Sequence, residues 1–208
     1  MKLPLTTLLA VGLAALASVA LAAGSPGDTL LRLAAKAGQV RSIQTEFTQE
    51  KRLSIFKQIL LSKGEFAFQR PRSLRWEYLE PVRSGFILHG DSGKRWNELA
   101  GETQDFSVRK DPIMQLVSSQ ILLWTTLDLK ALSRTYTIAV KSDAPAVLLF
   151  TPRAAEVGPI AGLCITFTPD DAAIAVIEIL EGQGDSTTIR FHGTRLNDDI
   201  DPGVFTRP

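Results

Sequence analysis

The chain has 208 residues, 23 basic and 22 acidic side chains for a formal charge of +1, 45% apolar residues and a mean hydropathy of +0.08. That length predicts one domain with ample core material, and that composition excludes wholesale disorder. The near-neutral charge gives no electrostatic reason to expect nucleic acid; one cysteine forbids an internal disulfide or a zinc ribbon, and two distant histidines, His89 and His192, leave little for a histidine-based metal site.

The first element is an export signal. Lys2 gives a positive start, a run rich in Leu, Ala and Val follows, and Ala20-Leu21-Ala22 forms an A-x-A cleavage site. Residues 1–22 are therefore expected to be removed, leaving 23–208 as a single exported domain. No cysteine stands at the junction, so lipid attachment there is not expected. Loss of Lys2 takes the basic count from 23 to 22, equal to the acidic count. Cys164 is expected as a buried free thiol within Leu163-Cys164-Ile165.

In the mature chain, Asp28 is placed to cap a short helix whose Leu30, Leu33, Ala34 and Ala37 form one stripe, with Gly38 as its stop. From Ser42 the period changes to two. Ile43, Thr45 and Phe47 alternate with polar residues, and two further strands follow between Gln58 and Tyr78. Phe66 and Phe68 share a face of the first of these; Leu74, Trp76 and Tyr78 share a face of the second, across the turn Arg70-Pro71-Arg72-Ser73. Strand signals continue at Gly85–His89, Lys94–Glu98 and Gln104–Val108. Asp111-Pro112 then marks a helix start, carrying Ile113, Leu116 and Val117 towards Trp124, and a second short helix is expected from Leu127 to Arg134. Strands resume at Tyr136–Lys141, Ala146–Thr151, Leu163–Thr168, Ile174–Leu180 and Thr187–His192. About ten short strands in mostly hairpin order, with two or three helices, predict an α+β fold. Its sheet is expected to curl round one apolar face as an open or closed barrel, with helices covering it.

Catalytic motifs are wanting. The nucleotide-binding glycine motifs, H-E-x-x-H and G-x-S-x-G are all missing from the sequence. His89 near Asp91 reads as a turn-flanking pair, Asp170-Asp171 as a solvated acidic turn, and Asn197–Gly203 as an acidic turn with Pro202 where a calcium loop needs glycine. No enzyme activity, metal or cofactor is expected. What the chain does carry is aromatic bulk on strands, at Phe47, Phe66, Phe68, Trp76, Tyr78, Phe86 and Trp96. Periodicity alone leaves open whether these fill a core or line a cavity.

Phe47-Thr48-Gln49, then Gly64-Glu65-Phe66-Ala67-Phe68-Gln69-Arg70-Pro71-Arg72-Ser73-Leu74-Arg75-Trp76, resemble the F-x-Q and G-x-[apolar]-x-[apolar]-x-R-P motifs of the periplasmic lipoprotein carrier family LolA. Asp91-Ser92-Gly93-Lys94-Arg95-Trp96 is similar to that family's D-G turn and L-W pair, with Arg95 in place of the usual Leu. The resemblance implies an unclosed antiparallel barrel with a lid of short helices, whose interior takes up acyl chains of lipoproteins or another lipid. It also implies an inner-membrane ABC transporter as donor and an outer-membrane LolB-like acceptor. The protein would work in the periplasm of a Gram-negative-type envelope, as a monomer. Phe47, Phe66, Phe68, Leu74 and Trp76 match positions that face or support the cavity; Tyr78, Phe86, Leu88, Trp96 and Met114 complete the expected lining. Arg70 matches the arginine that latches the lid. Lys51–Leu61 departs from the family's polar hairpin and is read either as core packing or as a contact with a membrane or partner. A lipid-binding sensor on the same scaffold is the alternative to a carrier.

Overall fold

A computed structural model of the chain describes residues 25–55, 58–153 and 160–208. The export signal expected over 1–22 lies outside the described residues. Helix α1 (Pro26–Gln39) leads into β1 (Ser42–Arg52), β2 (Ile59–Gln69), β3 (Ser73–Glu80), β4 (Ser84–His89), β5 (Ser92–Asn97) and β6 (Glu102–Ser107). Helices α2 (Pro112–Thr126) and α3 (Leu129–Thr135) follow. The chain then forms β7 (Tyr136–Asp143), β8 (Ala146–Pro152), β9 (Ile160–Phe167), β10 (Ile174–Glu181) and β11 (Ser186–Leu196).

These strands form one antiparallel sheet of eleven, in the order β6-β5-β4-β3-β2-β1-β11-β10-β9-β8-β7. The first and last strands meet at its centre, where Phe47 is opposite Phe191. Edge strands β6 and β7 do not pair, so the sheet curls without closing. The connection between those two edges carries α2 and α3. This is the unclosed antiparallel architecture expected, with eleven strands where the sequence predicts about ten.

Alternation along the strands decides which face is buried. Leu74 and Trp76 on β3, Leu148 and Phe150 on β8, and Leu163 and Ile165 on β9 all join one core cluster with Leu33 of α1, Met114 and Trp124 of α2, and Leu132 of α3. The outer face of β2 and β3 is covered in turn by the C-terminal segment, where Ile200 and Phe205 pack on Ala67. Arg75 donates there to the carbonyls of Val204 (3.1 Å) and Arg207 (2.6 Å), and its fork also meets Glu77, which is only 2% exposed and receives Arg83 as well. Of the Lys51–Leu61 stretch, residues 56–57 lie outside the described residues; Lys51–Arg52 and Ile59–Leu61 pair as the ends of β1 and β2, and Ile55, Leu60 and Leu61 are exposed, which excludes them from the core.

Helix α1 starts one turn earlier than its sequence suggests. Ser25 is the cap, accepting from the Asp28 amide while Asp28 accepts from the Ser25 amide, with Pro26 at the first helical position. It runs through Gly38 and is closed by the Val40 amide on the Ala37 carbonyl. Polar ties fasten its exposed side to the sheet. Arg32 donates to Asp171 (2.7 Å) and Asp143 (3.0 Å), Thr29 donates to Asp143, and Lys36 donates to the Asp170 carbonyl. The acidic turn Asp170-Asp171 is thus an anchor for α1, and these carboxylates hold the Arg32 guanidinium above its usual range. Helix α2 is capped as expected, Asp111 Oδ1 accepting from the amides of Ile113 (3.1 Å) and Met114 (3.0 Å).

Two measurements check this packing. A side chain at Gly64 would overlap the Glu77 carbonyl oxygen and the Phe47 ring, because Phe47 lies across the glycine opposite it. Gly64→Ala should cost on the order of 1–3 kcal/mol in urea unfolding; an unchanged midpoint would contradict the close approach. Asp171→Ala should speed amide exchange in α1 roughly several-fold while the central strands stay protected; equal protection would show that the Arg32 tie does not hold the helix.

Candidate functional site

Beneath α1 and α2 the curled sheet encloses a hollow of about 740 Å³. The roof is Leu33, Ala37 and Val40 from the first helix with Met114, Leu116, Val117, Gln120, Ile121 and Trp124 from the second. Its floor comes from both halves of the sheet: Phe66, Trp76, Tyr78 and Phe86 on one side, and Phe167, Ile174, Ile177, Ile179, Ile189 and Phe191 on the other. Such walls offer dispersion and exclude water, and the volume lies in the range of pockets for small apolar ligands.

The expected lining residues divide in two. Phe66, Trp76, Tyr78, Phe86 and Met114 reach the hollow. Phe47, Phe68, Leu74 and Leu88 lie behind it, each 0–1% exposed within the core cluster. Phe47 supports the wall directly, its ring centroid 4.6 Å from that of Trp76 and 5.5 Å from that of Tyr78. Trp96 differs from expectation. It borders the hollow, but cross-strand pairing with Gly85 turns its side chain to the outer face, where the Arg75 guanidinium lies 4.9 Å above its ring. The same pairing sets Arg95 opposite Phe86 and turns Arg95 inward. The isoleucines of β10 and β11 and the α2 face escape a reading based on aromatic bulk, although Ile177, Ile179, Ile189 and Phe191 carry the same period of two as the first half.

Two phenols at the walls pair with side-chain amides, whereas the buried Trp124 indole N–H has no hydrogen-bond partner among the described residues. The Tyr78 hydroxyl donates to Gln49 (2.9 Å) and Tyr136, under the hollow's roof, donates to Gln120 (2.8 Å). Burial raises both phenols, Tyr136 to about 12, so each stays neutral at physiological pH. Arg70, the first residue of the β2–β3 turn, donates from Nε to the Val40 carbonyl (2.6 Å) and from Nη2 to the Ala37 carbonyl (3.1 Å), both at the C-terminus of α1. Carbonyls at that end lack the full set of helical partners and carry partial negative charge, which suits a guanidinium.

The residues set aside as catalytic candidates are occupied elsewhere. His89 Nδ1 meets the Ser73 hydroxyl at 2.9 Å, whereas Asp91 pairs with Arg72 and Arg109, both at 2.8 Å. Asn197 accepts from the Arg41 amide and Asp201 caps the turn Pro202–Phe205. Burial, with Glu178 nearby, pushes the Cys164 thiol up and away from the reactive thiolate. Among the described residues, no group of three or more His, Cys, Asp or Glu is placed to hold a metal ion.

Known proteins share this architecture. Residues 38–208 match the family profile described as outer membrane lipoprotein carrier protein LolA. The outer-membrane lipoprotein carrier protein of Actinobacillus pleuropneumoniae serotype 3 (strain JL03) is 24% identical over 181 residues, covering 84% of each chain. That of Pseudoalteromonas translucida (strain TAC 125) is 20% identical over 170 residues, covering 80% of this chain and 76% of its own. An uncharacterized conserved protein from Thermus thermophilus shares the fold with a TM-score of 0.55 at 9% identity, over 88% of this chain and 93% of its own. With a profile match spanning both halves of the sheet and the C-terminal segment, the chain belongs to the LolA family of outer membrane lipoprotein carrier proteins.

Proposed function

We propose that this chain is a periplasmic carrier that takes acyl chains of lipoproteins or of another lipid into the hollow beneath α1 and α2. It passes them from an inner-membrane ABC transporter to an outer-membrane LolB-like acceptor. Residues 1–22 then serve as the export signal and 23–208 as the carrier. The observation that carries this reading is a space of about 740 Å³ walled by apolar side chains from both halves of the sheet. Burying a methylene is worth roughly 0.8 kcal/mol, so a sixteen-carbon chain gains about 12 kcal/mol on leaving water. A carrier must supply that shelter and still give the chain up without a covalent step.

Arg70 is the proposed control point. The N-terminal half of α1 is held by Arg32 and Thr29, while its last turn is held by Lys36 on the Asp170 carbonyl and by the two bonds from Arg70. Charge-assisted bonds of this kind are worth about 1.5–3 kcal/mol each, small beside the acyl term. A cargo pressing on Ala37 and Val40 from below displaces that turn, and re-forming the Arg70 bonds favours the closed, unloaded state at hand-over.

Transfer assays test the reading. Wild-type protein loaded with a fluorescent acyl lipid should deliver it to acceptor vesicles or receptor. Ile179→Trp should project a ring into the hollow and weaken uptake about severalfold with little change in unfolding midpoint. Arg70→Leu should load normally and hand over poorly. Normal transfer by Arg70→Leu would refute the latch; undiminished uptake by Ile179→Trp would refute the site. Uptake followed by retention, whatever the acceptor, would make the protein a lipid sensor instead.

A further inference from the structure

The acyl-chain reading leaves open what stands at the chain's polar end, and Arg95 bears on that. It is the one cation among the described residues that line the hollow. Its position follows from register: opposite Phe86 on the inner face, beside the outward-turned Trp96. Its side chain is 43% exposed and shares that stretch of the wall with Asn97, Glu102 and Gln104, so a ligand entering from solvent can reach it.

Its present partners use it incompletely. Nε and Nη2 both donate to the single amide oxygen of Gln104, at 3.1 and 3.0 Å. Nη1 reaches Asp111 Oδ2 at 3.2 Å. A guanidinium has five N–H donors, so two remain beyond these three contacts. Asp111 is itself shared, because its other oxygen caps α2. It would stay satisfied by that cap, and partly solvated at 21% exposure, if Arg95 turned elsewhere.

Resting on the carrier reading, and narrowing its cargo to lipids with an anionic head, we propose that Arg95 is a headgroup site. It selects acyl chains that end in a compact anion, a carboxylate or a phosphate monoester, over chains that end in a neutral group. Such an anion accepts two parallel N–H bonds from the guanidinium fork, which neither Gln104 nor the single contact with Asp111 provides. The tail lies along Phe86 and Trp76 while the head stays at the rim. Binding exchanges one carboxylate partner of Arg95 for another anion and leaves Asp111 to its two cap amides and to solvent. The exchange also frees α2 from β5. That helix carries no charged side chain of its own, and Arg95–Asp111 is the one ion pair among the described residues that ties its N-terminus to the sheet.

Displacement of a neutral fluorescent dye from the purified full chain by palmitate, hexadecyl phosphate and hexadecanol, each below its aggregation concentration, tests the proposal. In wild type the better of the two anions should bind at least about tenfold more tightly than the alcohol; which anion wins identifies the head. In Arg95→Leu, hexadecanol should bind within about twofold of wild type, which also reports intact folding, while the preference for the anion disappears. Equal binding of all three in wild type, or a preference that survives Arg95→Leu, overturns the headgroup site alone. Failure of all three to bind wild type overturns the acyl-chain reading and the headgroup site with it.

Discussion

An apolar sheet face cannot stand open to water, and here the sheet does not close to hide it. Edge strands β6 and β7 leave each other unpaired, and the chain between them is spent on α2 and α3. A closed barrel with these side chains would be a packed core with fixed edges. Helices laid over an open barrel bury the same face through contacts that part without breaking a ladder of backbone bonds. The hollow exists because the roof is helical and the floor is a curled sheet, two surfaces that meet along their rims and leave space between them.

The strength of the roof is unevenly distributed. Helix α1 is fixed at its start by Arg32 and Thr29, which reach carboxylates beside the sheet, and at its end by Arg70, which reaches from the β2–β3 turn to the helix carbonyls. Helix α2 relies on apolar burial of Met114 and Trp124, the Gln120–Tyr136 bond and Arg95 at its cap. Its Ile113 is left exposed to solvent, and Leu116 and Val117, which border the hollow, remain partly exposed. On the proposed carrier reading, polar ties worth a few kcal/mol stand against an acyl occupant worth several times more. In that proposal the cargo sets whether the roof lifts and the ties set how readily it returns.

Local patterning makes most of the fold legible. Period-two alternation from Ser42 to Tyr78 and from Tyr136 to His192 locates the strands, and the Asp111-Pro112 start locates α2. What escapes depends on partners distant in sequence or on a choice between equal neighbours. Ser25 escapes as the α1 cap because Asp28, three residues on, is an equally good capping residue and serves in the reciprocal position. Asp170-Asp171 reads as solvated until Arg32, 139 residues earlier in the chain than Asp171, is brought to it. In the site, parity separates neighbours that composition treats alike: Trp96 has an aromatic's affinity for the interior but the register of the outer face, while its charged neighbour Arg95 has the inner one. Bulk alone likewise does not distinguish Phe47 and Leu74, which back the wall, from Phe66 and Trp76, which form it.

The central claim is that a hydrocarbon tail occupies the hollow itself, and the three tryptophans are placed to report it. Trp76 and Trp124 line the space, whereas the Trp96 ring stacks under Arg75 outside it. In single-tryptophan variants titrated with a fatty acid brominated along its chain, the account predicts strong quenching of Trp76 and Trp124 emission and little of Trp96. Quenching confined to Trp96, or absent from Trp76 at saturating ligand, would contradict it.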